Sequence, residues 1–190
     1  MKKLLFLLPL LALSPLSARA QGWVLASNFT QDFQTEKFIY DNVSGLPLTS
    51  TYVAQLFAGI AGIVDETQLV AVDNPAAFFD QPAQSQGEFF GGEVQISGVT
   101  AGQTATLQIR IWPAVYATWA QAYNAAVSDS NIHVGKSVLF QQVTGTSGSM
   151  TEIANNAGFV VFTIGVVPEP STVALGVLGC GLLLLRRRGR

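Results

Sequence analysis

One histidine, His133, and a scatter of carboxylates are the residues with which this chain could do acid–base chemistry. A Ser-His-Asp nucleophile would have to use His133. No Gly-x-Ser-x-Gly elbow supplies its serine, and Ser147, in Gly145-Thr146-Ser147-Gly148, sits in a loop composition without that spacing. His133 is therefore expected to be solvated or hydrogen-bonded rather than catalytic. A single histidine with no nearby cysteine cannot close a tetrahedral zinc site, so neither metal centre nor cofactor is expected. Two carboxylates suffice for glycoside hydrolysis. Asp65, Glu66, Asp73, Asp80, Glu88 and Glu93 are the candidates, but no spacing singles out a pair, and solubility and loop charge explain them more simply. Asp73, Asn74 and Asp80 could reach calcium from loops, although the Asp-x-Asp-x-Asp-Gly pattern is missing. Residues 87–92 lack both phosphate-loop patterns. The remaining chemistry is aromatic: Trp112, Trp119 and Tyr123 could stack on sugar rings or fill a core, and core filling is the commoner use. No catalytic residue is assigned, and a non-enzymatic protein is expected.

The elements that must position these residues are strands. The body is rich in Val, Ile, Thr, Phe and Gly and poor in Lys, Arg and Glu, a β-forming composition. Residues 104–112 alternate most cleanly, with Leu107, Ile109 and Ile111 on one face and Thr106, Gln108 and Arg110 on the other. Further strands are expected at 23–30, 51–58, 67–72, 92–97, 136–143 and 158–165, the last apolar on both faces over 159–164 and so expected in a covered position. Turn compositions separate them at Ser44-Gly45-Leu46-Pro47, Asp73-Asn74-Pro75, Thr100-Ala101-Gly102 and residues 145–149. Residues 116–127 are alanine-rich and place Trp119 and Tyr123 four apart, which predicts a short helix crossing between sheets and packed through those two rings. The expected fold is mainly β: an antiparallel β-sandwich, immunoglobulin-like in type, with one short helix. The paired cysteines of immunoglobulin domains are missing, because Cys180 is the chain's only cysteine.

The ends differ in kind from this body. Lys2 and Lys3, the apolar residues 4–13 and the small residues Ala18 and Ala20 make a secretory signal peptide over 1–20, cut by signal peptidase before Gln21. Its apolar stretch is about 15 Å long as a helix, half of a hydrocarbon core of about 30 Å. At the other end, Pro168-Glu169-Pro170-Ser171 precedes the apolar run 172–185 and the basic stop Arg186-Arg187-Arg188-Gly189-Arg190. That run gives about 21 Å of helix, and the arginines can snorkel to extend it into a transmembrane segment of the inner membrane. Their charge keeps the terminus cytoplasmic and the body outside. The prolines hold the preceding stretch extended, in the form a processing enzyme can bind. The chain thus divides into 1–20, a domain over 21–166 and a tail over 167–190. Seven of the ten basic residues lie in the ends, whereas the body holds Lys37, Arg110 and Lys136 against eleven acids, a net charge of −8. A body of that sign is a poor partner for nucleic acid or for an anionic membrane surface.

The tail resembles the PEP-CTERM sorting signal of Gram-negative bacteria, on the strength of Val167-Pro168-Glu169-Pro170-Ser171-Thr172, the apolar segment and the arginines in that order. The resemblance covers about an eighth of the chain. It implies that an exosortase recognises Pro168, Glu169, Pro170 and Ser171 and supplies the catalytic residues, with this chain as its substrate. It further implies membrane anchoring through the tail before processing, then release to the cell surface or extracellular matrix, in association with exopolysaccharide and biofilm. Carbohydrate binding by the body, through Trp112, Trp119 or Tyr123, is the alternative function, and a small secreted hydrolase stands behind it.

Overall fold

The structure, a computed structural model, describes residues 21–167. The expected leader with Ala18 and Ala20, the Pro168–Ser171 motif, the apolar run and the basic stop at Arg186, Arg187, Arg188 and Arg190 lie outside the described residues. Among the described residues no helix is long and apolar enough to cross a membrane.

The described chain is mainly β with one α-helix. In order it forms β1 (Gln21–Ser27), β2 (Tyr40–Asp41), β3 (Tyr52–Ile60), β4 (Val70–Ala71), β5 (Ala76–Ala77), β6 (Phe90–Thr100), β7 (Thr104–Pro113), the helix α1 (Trp119–Ser128), β8 (Gly135–Lys136), β9 (Phe140–Val143), β10 (Thr151–Glu152) and β11 (Thr163–Ile164). One sheet runs β10-β1-β6. A second is built on the antiparallel β3–β7 pair, with β4 and β5 along the outer edge of β3 and β8 and β9 along that of β7. A third is the pair β11-β2.

The inner faces of the two larger sheets share one core. Val24 and Ala26 of β1 and Val94 and Ile96 of β6 meet Ala54, Leu56 and Ala58 of β3 and Leu107, Ile109 and Ile111 of β7. Each large aliphatic side chain removed from water here stabilises the fold by about 1.5–3 kcal/mol. The turn after β6 carries the chain from the first sheet to the second, and Gly102 in it has φ +81°, a conformation that costs glycine nothing.

Several sequence expectations are corrected. The fold is not wholly antiparallel, since β1–β10 and β2–β11 pair in parallel. Residues 136–143 do not run as one strand: the backbone N–H of Ile109 bonds to the Ser137 hydroxyl at 3.0 Å, so a side chain replaces a ladder acceptor and splits the run into β8 and β9. Residues 158–165 are not a covered strand. Asn156 Oδ1 accepts the Gly158 N–H at 2.7 Å and its carbonyl accepts the Phe159 N–H, which ties 156–159 into a turn. Beyond it Val160 and Val161 are exposed, and only Thr163–Ile164 pair. Residues 67–72 shrink to β4, because Asp65 caps a 3-10 turn over Glu66–Gln68 through the Thr67 N–H. The helix does not cross between the sheets, and of its two rings Trp119 joins the packing whereas Tyr123 is exposed. It lies along β7 and buries Ala122 and Ala126, the small residues that allow close approach, against Trp112 and Val134.

Candidate functional site

The outer face of the β3–β7 pair carries the densest arrangement of polar and aromatic groups. Alternation sends Val53, Gln55 and Phe57 outward from β3 and Thr106, Gln108, Arg110 and Trp112 outward from β7. The register sets Val53 opposite Trp112, Gln55 opposite Arg110 and Phe57 opposite Gln108. This polar face is covered, so Gln108 and Arg110 are buried with the apolar residues beside them. The cover is α1 at one end and the Glu66–Gln68 turn at the other. Thr118 starts the helix there: its backbone is extended, and its hydroxyl accepts the Gln121 N–H at 3.3 Å.

Arg110 is the centre of the arrangement. Its Nε donates to Gln108 Oε1 and its Nη2 to the backbone carbonyl of Glu66, both at 2.8 Å. Its guanidinium lies 4.0 Å from the centre of the Phe57 ring and 5.7 Å from that of Trp119. The Glu66 carboxylate is engaged elsewhere, by Lys136 Nζ and by Gln108 Nε2 at 3.0 Å. Burial pulls the Arg110 pKa down, and the Glu66 charge offsets this in part. Burial also pushes Glu66 up, but Gln108, Lys136 and Arg110 outweigh it and hold that carboxyl below its ordinary value. A cavity of about 300 Å³ opens beside Arg110, lined by Phe57, Trp119 and Gln55 together with the first turn of α1.

The three aromatic residues singled out in the sequence come together here, but not as equals. Trp112 is fully buried and donates from Nε1 to the Tyr116 carbonyl at 2.9 Å, so it is a core residue and offers no face to a sugar. Trp119 is half-buried, with ring centroids 6.2 Å from Trp112 and 5.6 Å from Tyr123, which is exposed. The outer two rings thus form a short surface ladder that leads away from the cavity. Sequence reasoning passed over Arg110, Phe57 and Gln55, although a lone arginine in the middle of a strand was the available signal.

The remaining candidates are dispersed. His133 Nδ1 pairs with Asp41 Oδ2 at 2.9 Å, and the Ser44 hydroxyl donates to the same oxygen at 3.1 Å. The carboxylate is the hub, and serine and imidazole are bonded to it rather than to each other. Burial pushes Asp41 up, but the Val43 amide, His133 and Ser44 hold it below its ordinary value. Asp80 accepts the Ser50 N–H, and Asp73 accepts the Leu56 N–H at 3.0 Å where β3 lies between its partners β4 and β5. Burial pushes the Asp73 carboxyl up to about 7. Glu88 is buried with Oε1 unpartnered, and burial together with the nearby Glu36 charge pushes its pKa up. A wider, shallow cleft of about 610 Å³ lies along β9 and β10. Its lining includes the amides Gln31, Gln141, Gln142 and Asn156, and Glu152 is the acid among its lining residues. Among the described residues no group of three or more potential metal ligands is found. Comparison with protein-family models, curated proteins and solved structures finds no match.

Proposed function

We propose that the chain is a non-enzymatic exported surface or extracellular-matrix protein, sorted and processed by an exosortase through its C-terminal signal. One observation carries this proposal: Pro168-Glu169-Pro170-Ser171, an apolar run and an arginine stop follow one another in the order of a PEP-CTERM tail. The charge distribution supports it, since the ends hold most of the basic residues and an acidic body remains between them. Glu169 and its flanking prolines are the recognition core, and the apolar run is the temporary anchor. In the producing cell, Glu169→Ala should leave the precursor in the membrane fraction on an immunoblot. Processing of that variant at the wild-type rate would overturn the sorting claim.

Saccharide recognition by the body is a second reading, favoured by the half-buried Trp119 and the exposed Tyr123 beside a cavity that holds a buried arginine. Trp112 is withdrawn from this role by its burial. Affinity electrophoresis of the purified chain through gels containing host exopolysaccharide tests it. Trp119→Ala should abolish the retardation, and retardation unchanged in that variant would remove the idea. We also assign the body to the β-sandwich class. Two sheets over one core support this, and the two parallel pairs set it apart from an all-antiparallel immunoglobulin topology.

A further inference from the structure

We infer that the cavity between the β3–β7 outer face and the first turn of α1 binds a carboxylate-bearing sugar, the hexuronate unit of an acidic polysaccharide. The inference rests on the saccharide reading and assigns its ligand class. Three independent features converge on the cavity.

The first is the Arg110 charge. The residue is 9 % exposed, and among the described residues it makes no ion pair, because its hydrogen bonds go to neutral oxygens of Gln108 and Glu66 and the Glu66 carboxylate is held by Lys136. Its Nη1 donates to no acceptor among the described residues. Of the five N–H groups of this largely buried guanidinium two are committed, and the three that remain, on Nη1 and Nη2, can meet a planar two-oxygen anion on the cavity wall. No carboxylate lines that cavity.

The second is the helix terminus. Trp119 and Ala120 both border the cavity and are the first two residues of the ten-residue α1, where backbone N–H groups have no intrahelical acceptor. Thr118 caps the Gln121 N–H and the Thr118 carbonyl accepts that of Ala122, which leaves the two earlier amides free to donate. The positive end of the helix and the guanidinium therefore favour the same charge at the same place.

The third is the wall. Phe57 and Trp119 give the cavity apolar faces, whereas Gln55, whose Nε2 donates to the Asp73 carbonyl at 2.6 Å, keeps its own amide oxygen as a neutral acceptor for a hydroxyl. A cavity of about 300 Å³ is at the small end of ligand sites and fits a single ring. Tyr123, next along the ladder, stands where a neighbouring sugar ring would stack. A bare carboxylate would need the charge but neither the aromatic walls nor the ladder. The net charge of −8 over the body opposes a polyanion as a whole, so the local Arg110 charge must outweigh it at the cavity.

Isothermal titration calorimetry of the full chain in detergent micelles tests the assignment, with sodium glucuronate, glucose and sodium acetate as titrants. Glucuronate should bind at least ten-fold tighter than either glucose or acetate. Ala120 is exposed on the first turn, where an acid is compatible with the helix, so Ala120→Glu should keep the fold and weaken glucuronate binding at least ten-fold. Unchanged binding in a folded Ala120→Glu variant would overturn the site. Glucose binding as tightly as glucuronate, with both lost in Trp119→Ala, would overturn the carboxylate assignment while leaving saccharide recognition in place. Acetate binding as tightly as glucuronate would reduce the site to one for any carboxylate and overturn the sugar. Binding of neither sugar would defeat both.

Discussion

Replacing Asp73 with asparagine should make the domain more stable at neutral pH and leave its stability unchanged in acid. The Asp73 carboxyl accepts the Leu56 N–H at 3.0 Å and is raised by burial from 3.8 to about 7. Between those two values the folded chain retains a proton that the unfolded chain releases. Stability is therefore lost as pH rises through that window, the opposite sign to an ion-paired carboxylate. The rise from 3.8 to about 7 corresponds to about 4 kcal/mol, reached near pH 8 and absent below about pH 4. Asparagine keeps an acceptor oxygen for Leu56 but cannot ionise, so the difference between variant and wild type isolates this group from every other titration. Urea denaturation followed by tryptophan fluorescence, at one-unit intervals from pH 4 to pH 8, gives that difference directly. It should climb from near zero to several kcal/mol in favour of asparagine. A flat difference, or one that favours aspartate at pH 8, would refute the argument that burial outweighs the amide hydrogen bond.

Two further expectations concern the elements that build the candidate site. Trp112→Ala removes the fully buried ring that seats α1 on β7 and should destabilise the domain by about 3–5 kcal/mol in the same denaturation assay. Thr118→Ala removes the helix cap and should cost about 1 kcal/mol, with a small loss of helical signal in far-UV circular dichroism. An unchanged midpoint in either variant would contradict the packing described for α1.

What the sequence made legible was set by how local the deciding interaction is. The alternation over 104–112 reports its own strand, because each residue's facing follows from its neighbours'. Turn compositions likewise mark their own positions, and Gly45, Gly102 and Gly148 adopt the positive φ such turns use. By contrast, the split of 136–143 depends on Ser137 meeting Ile109, and the loss of 158–162 depends on a turn closed by the Asn156 side chain and carbonyl. Periodicity carries neither. The polar face of β7 showed the same limit: Gln108 and Arg110 have the pattern of a solvated face and are buried because α1 and the Glu66–Gln68 turn fold over it. The candidate site was accordingly half visible. Trp119 and Tyr123 stood out by their helical spacing, whereas Arg110 became a site residue only when Glu66 was found to give it a backbone carbonyl and to spend its carboxylate on Lys136.

The most direct test of the sorting claim is the intact mass of the protein recovered from the surface of producing cells. The full chain is 20.2 kDa. A shorter species that begins at Gln21 and lacks the apolar run and its arginine stop is expected. Recovery of surface protein that still carries residues 172–190 would contradict it.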